Sequence, residues 1–125
     1  MTIEVPNRHR MPDTRRSLTH RFCFGNIHKG YVTVGFFEDG TPGELFIRMA
    51  KTGSTMSGLL DAVGIGVSLG LQHGVPLKVF CDKYKHSRFE PDGFNSEFGF
   101  CSSVLDYIFR WLEKKYVVIE EKKSD

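Results

Sequence analysis

The stretch YVTVGFFEDGTPGELFIRM, residues 31–49, decides the fold class. Its first part, Tyr31 to Phe37, is β-branched and aromatic, and such side chains suit a pleated, half-buried surface. Its last part, Glu44 to Met49, alternates, with Leu45, Ile47 and Met49 on one side. Between them stands Glu38-Asp39-Gly40-Thr41-Pro42-Gly43, where Asp-Gly signals a hairpin because glycine tolerates positive φ. Upstream, Leu18, His20, Phe22 and Phe24 share one face of another strand, with Thr19, Arg21 and Cys23 opposite. Gly25 to Gly30 turns that strand back. Three consecutive strands with short turns predict an antiparallel meander.

After Lys51 the period changes. Met56, Leu60, Val63, Val67 and Leu71 recur at helical spacing. Ser54 or Thr55 is expected to cap this helix, and Gly74 followed by Pro76 to end it. A shorter helix carries Leu77, Phe80, Cys81 and Tyr84 on one face. A third begins near Ser102 or Ser103, with Asp106 at capping-box spacing from Ser103. Its inner face is Val104, Leu105, Ile108 and Leu112. Strands first and helices after predict an α+β domain, a three-stranded antiparallel meander followed by three helices packed on one face.

A chain of 125 residues fits one domain, and 40% hydrophobic with 26% charged residues is folded composition. Residues 1–21 carry Arg8, Arg10, Arg15, Arg16 and Arg21 against Glu4 and Asp13, an excess of three positive charges. The chain therefore divides into a basic flexible arm (1–16), a single domain (17–117) and a charged tail (118–125). The arm is read as a solvated tail, so nucleic acid is not an expected partner. No run approaches a membrane span, and the N-terminus lacks the apolar core of a secretion signal. Cys23, Cys81 and Cys101 are scattered and odd in number, which points to a reducing, cytoplasmic setting with Cys23 and Cys81 in the core. The five histidines show no metal-ligand spacing, and no catalytic set can be assembled, so no metal, cofactor or catalytic residue is expected.

Three features stand out. Gly58, Ala62, Gly66 and Gly70 lie four apart on the long helix, each interior glycine costing about 1 kcal/mol relative to alanine. That cost is offset by close packing on the helix's own sheet, by a seam between subunits, or by a ligand on the smooth face. The second feature is Lys51-Thr52-Gly53-Ser54-Thr55 at the start of the helix. It reads as a plain cap or as a phosphate cradle of unpaired N–H groups, two hydroxyls and a cation. The third is the stretch from His86 to Phe100, with no clear period but four phenylalanines, Phe89, Phe94, Phe98 and Phe100. Loops of that length are usually functional or disordered, and four phenylalanines argue against disorder.

Longer strings recur in order in one family. They include Ser17-Leu18-Thr19-His20-Arg21-Phe22, Gly30-Tyr31-Val32-Thr33-Val34-Gly35, Glu38 through Ile47, Met49-Ala50-Lys51, Gly53-Ser54-Thr55, Leu71 through Leu77, Arg88-Phe89-Glu90-Pro91 and Asp106-Tyr107-Ile108-Phe109-Arg110-Trp111-Leu112. The chain resembles the C-terminal TSCPD-type domain of adenosylcobalamin-dependent (class II) ribonucleotide reductases, over about residues 15 to 112. The string that names the domain reads Ser102-Ser103-Val104-Leu105-Asp106 here, keeping a Ser and the Asp but lacking Cys and Pro. The resemblance implies the fold, and a surface that meets nucleotide or a reductase catalytic subunit. The radical-bearing barrel of those enzymes has no counterpart in these residues, so their catalysis does not carry over.

The expected function is a stand-alone, non-catalytic module that binds, and by that sequesters, a nucleotide-like ligand. The alternative is a structural subunit of a split ribonucleotide reductase. The expected ligand residues are Lys51, Gly53, Ser54 and Thr55, with Arg88 as a second cation and His20 and Arg21 at the margin. A homo-oligomer is expected through Gly58, Ala62, Gly66, Gly70 and Phe94.

Overall fold

A computed structural model describes residues 7–117. Three strands, β1 (Ser17–Phe24), β2 (His28–Phe36) and β3 (Pro42–Met49), form an antiparallel sheet in the order β1-β2-β3. Helices α1 (Ser54–Gln72) and α2 (Leu77–Tyr84) follow. Next come two short paired strands, β4 (Gly93–Asn95) and β5 (Gly99–Cys101). Helix α3 (Val104–Leu112) runs into a π-helical turn, Glu113–Val117. The α+β arrangement is the one the residue pattern predicts.

The alternation in the strands is what divides the sheet into two faces. Phe22 and Phe24 of β1, Val32 and Val34 of β2, and Leu45 and Ile47 of β3 are all buried. Against this inner face lies α3, of which every residue except Arg110 is buried. Phe22 and Tyr107 meet at 5.2 Å between ring centres, and Tyr84 of α2 backs Phe109 at 5.0 Å. Burial of each such side chain contributes about 1.5–3 kcal/mol, so α3 is the keystone of the core.

The inner face also takes His20. Its ring stacks on Trp111 at 4.4 Å, and its Nε2 hydrogen-bonds the Tyr107 hydroxyl at 2.9 Å. Burial lowers the imidazole pKa, because the charged form is the one desolvated. A base whose folded pKa is depressed binds fewer protons folded than unfolded. Stability is then whole above the ordinary histidine pKa of about 6.5 and falls as pH drops below it. We expect a mild loss of thermal stability below about pH 6.5 that His20→Phe lacks, checked by melting across a pH series. A pH profile shared by both proteins would assign the loss elsewhere.

Helix α1 closes the edge of the sheet beside β3. Ser68 Oγ accepts the Leu45 N–H at 2.8 Å and donates to the Gly64 carbonyl at 2.7 Å, so an exposed strand edge finds a partner on the helix. Leu60, Gly64, Val67 and Gln72 are the buried residues of α1, while Leu59, Ile65 and Leu69 are exposed. In contrast to the expectation of no such run, α1 is long and apolar enough to cross a membrane by length and composition, with its apolar residues divided between the sheet and the outside.

Other expectations also change. The N-cap of α1 is Gly53 in extended backbone, with no side-chain cap, rather than Ser54 or Thr55. The stretch from His86 to Phe100 contains the β4–β5 hairpin, whose strands of three residues are too short to show a period. Cys81 and Cys101 are fully buried, and burial pushes the Cys81 thiol up to about 12, but Cys23 is only half-buried because its parity puts it on the outer face.

The basic arm is not free over its described part. Arg8 donates to Gln72 Oε1 at 2.7 Å and the His9 N–H to the Gln72 carbonyl at 2.8 Å. Arg15 grips the Glu44 carboxylate through Nε and Nη2. These bonds hold the arm along the β3 and α1 side, since buried Glu44 and Gln72 need partners. Residues 1–6 and the tail from residue 118 lie outside the described residues.

Candidate functional site

Two places in the fold gather chemistry. The first is the start of α1. Ser57 N–H bonds the Gly53 carbonyl, closing the first helical turn, and the earlier N–H groups of that turn have no side-chain cap. Gly53, Ser54 and Thr55 are exposed, and nothing approaches the position a Gly53 Cβ would fill. Lys51 stands before them in a left-handed conformation, φ 56°. Ala50 N–H bonds the Lys29 carbonyl at 2.8 Å, so the exposed Lys29 sits at the same end of the sheet. The uncapped helix start is therefore openly accessible, with Lys51 two residues before Gly53.

The second is a hub around Asp106, which is 2% exposed. Its Oδ1 accepts the His86 N–H at 2.7 Å, and its Oδ2 accepts the Ser102 N–H at 2.9 Å and Arg110 Nη2 at 2.9 Å. Ser103 Oγ in turn caps α3 by accepting the Asp106 N–H at 3.0 Å. Burial alone raises the carboxyl pKa, but the two backbone N–H groups and Arg110 outweigh it and hold the group below its ordinary value. Arg110 also donates to the carbonyls of Phe98 and Phe100. One carboxylate thus ties together the loop after α2, the hairpin and α3.

Beside this hub, Arg88 lines an open cavity of about 580 Å³ with His86, Glu90, Asp92 and Ser102. Arg88 lines that cavity, whereas Lys51, Gly53, Ser54 and Thr55 line none of the five cavities described. His20 is engaged in the core, and Arg21 lies exposed on the opposite face of β1.

Of the oligomer residues, Gly58, Ala62 and Gly66 are exposed, and nothing lies within 4 Å of a Cβ added at either glycine. Gly70 instead faces the Phe80 ring of its own chain, and Gly64, outside that stripe, meets the backbone of β3. Phe94 is 66% exposed and pairs across the hairpin with exposed Phe100. Among the described residues no three His, Cys, Asp or Glu side chains are grouped to hold a metal ion. The Asp106 hub was visible in sequence only as a helix cap, because its other partners come from residues up to twenty positions away.

A meander with a buried helix across one face and an edge-covering helix beside β3 defines the class, an α+β domain with an open outer sheet face. The family model described as the TSCPD domain matches residues 3–116, and the chain belongs to that family. It is 51% identical over 112 residues to the vitamin B12-dependent ribonucleotide reductase of Rhodopirellula baltica, covering 88% of this chain and 11% of that protein. The reductases of Streptantibioticus cattleyicolor and Streptomyces avermitilis are each 39% identical over 121 residues, covering 95% of this chain and 20% and 12% of those proteins. The chain thus spans a fifth or less of these relatives. No solved structure matches it.

Proposed function

We propose that this TSCPD domain is a non-catalytic module that holds a nucleotide-like anion, and in free form sequesters it. The observation that carries this reading is the uncapped, exposed start of α1, with Lys51 just before it in the chain. Unpaired N–H groups and the positive end of the helix dipole favour a phosphate there. Membership in a domain found within reductases of nucleotides supports the ligand class. The proposed site is built on Lys51, Gly53, Ser54 and Thr55, without Arg88, which lines the cavity beside Asp106, and without His20, which is engaged by Trp111 and Tyr107.

Each charge-assisted hydrogen bond contributes about 1.5–3 kcal/mol. Lys51→Glu and Ser54→Leu should each weaken nucleotide binding about tenfold or more, read by thermal shift and calorimetry against a nucleotide panel that includes cyclic forms. Arg88→Ala should leave affinity unchanged. Loss of binding in Arg88→Ala alone would move the site to the cavity beside Asp106. No shift with any nucleotide at millimolar concentration would leave the second reading, a reductase subunit acting by protein contact. The exposed apolar side of α1, with Leu59, Ile65 and Leu69, favours that second reading and equally the homo-oligomer.

A further inference from the structure

We propose that the outer face of the sheet is a docking surface for single-stranded nucleic acid. The strand register sets Arg21, Tyr31 and Arg48 side by side across β1, β2 and β3. The next row toward one end is Thr19, Thr33 and Phe46, and toward the other end Cys23 faces Lys29. Tyr31 and Phe46 are 50% and 52% exposed, and neither ring packs on another ring among the described residues. The side chains of Arg21, Lys29 and Arg48 are exposed and make no hydrogen bond or ion pair among the described residues. Three unpaired cations and two bare aromatic rings therefore share one open face.

Acidic groups are kept to its margin. Glu44 lies one row beyond Thr19, Thr33 and Phe46, where Arg15 occupies it. Asp61 of α1 borders Phe46 across the groove between α1 and β3. No acid falls in the row of Arg21, Tyr31 and Arg48 or in that of Lys29.

The shape selects the ligand. Arg21, Lys29, Tyr31 and Arg48 line none of the described cavities. A small molecule needs concavity to bury most of its surface, whereas an extended strand can lie along an open sheet. Tyr31 and Phe46 sit on neighbouring strands as diagonal neighbours, about 7–8 Å apart. Each ring can take one base, and the arginines on either side of Tyr31 can take the flanking phosphates. A second copy fits poorly, because a two-fold contact through this face sets arginine against arginine. This surface shares the Lys29 end of the sheet with the helix start, but it does not depend on a nucleotide binding there.

The test is fluorescence anisotropy with the full chain and labelled single-stranded oligothymidylate and oligouridylate of about 12 nucleotides, from about 50 mM salt upward. Tyr31→Ala should weaken binding about tenfold. The double variant Arg21→Glu, Arg48→Glu should lose binding further and reduce the salt slope by about 1.4, from two phosphate contacts at 0.7 each. Lys83→Glu, an exposed change on α2, should leave binding unchanged. Melting curves matching the parent would show that each variant is folded. No binding by the parent at about 50 mM salt would overturn the proposal. So would equal binding by the double variant and Lys83→Glu, which would place the contact on the arm. Variants that convert an oligomer to monomer without changing strand affinity would assign the face to a second copy instead. Lys51→Glu losing mononucleotide while Tyr31→Ala keeps it separates this surface from the helix start.

Discussion

Asp106→Ala should cost about 3–5 kcal/mol, a large part of the 5–15 kcal/mol that holds a domain of this size. The carboxylate is 2% exposed and accepts from His86, Ser102 and Arg110, which belong to three different segments. Removing it strands two backbone N–H groups and leaves a partly buried guanidinium without its counter-charge. Asp106→Asn should lose nearly as much. One oxygen becomes an NH2 group, which sets donor against donor wherever it points. Urea unfolding measures both, and a loss under about 1 kcal/mol in the alanine variant would show that water replaces these bonds.

The same group carries an acid signature. Its folded pKa lies below the unfolded value, so its contribution is present above about pH 3.9 and is lost as pH falls through the folded value. Acid unfolding of the parent should therefore contain a proton uptake, below about pH 4, that Asp106→Asn lacks. Acid limbs of equal steepness would contradict the assignment.

Local pattern carried much of this fold. The alternation of Leu18, His20, Phe22 and Phe24 placed the inner face correctly, because a period of two leaves no other choice once one face is buried. Ser103 with Asp106 marked the start of α3, because a cap is read from neighbours in the chain. What the pattern hid was non-local. Nothing in Arg8 or Arg15 announces Gln72 and Glu44, which lie 64 and 29 positions away. The arm consequently read as free.

The candidate site divides the same way. Lys51 to Thr55 was legible because a helix start is a local feature. The row of Arg21, Tyr31 and Arg48 was not, since it exists only once three strands are in register. Arg21 is legible as an arm arginine and as a marginal ligand candidate, yet its partners on the face come from β2 and β3. Conversely, His20 looked available for a ligand until Trp111 and Tyr107 claimed it.

Two glycines two residues apart on α1 should respond to alanine in opposite directions. A Cβ at Gly64 would stand 2.8 Å from the Leu45 carbonyl oxygen, which is backbone and cannot swing aside. The helix would have to lift off β3, loosening the bonds that Ser68 makes to Leu45 one turn further on. Overpacking of this kind costs about 1–3 kcal/mol, against about 1 kcal/mol gained in helix propensity. Gly64→Val, which also adds a β-branch, should be worse than Gly64→Ala. At Gly66 nothing lies within 4 Å of the added atom, so Gly66→Ala should gain about 1 kcal/mol as a monomer. The Gly64→Val and Gly66→Ala variants should then differ by about 2–4 kcal/mol, or about 4 °C in Tm for each kcal/mol. The sign at Gly66 also reports on assembly. If Gly58, Ala62 and Gly66 form a seam between subunits, alanine at Gly66 keeps two helices apart and stability falls with dilution. Melting at two protein concentrations, with sedimentation beside it, separates the cases. A stabilised Gly66→Ala with unchanged mass would leave the stripe as bare surface, whereas a destabilised, dissociated one would make it the subunit contact.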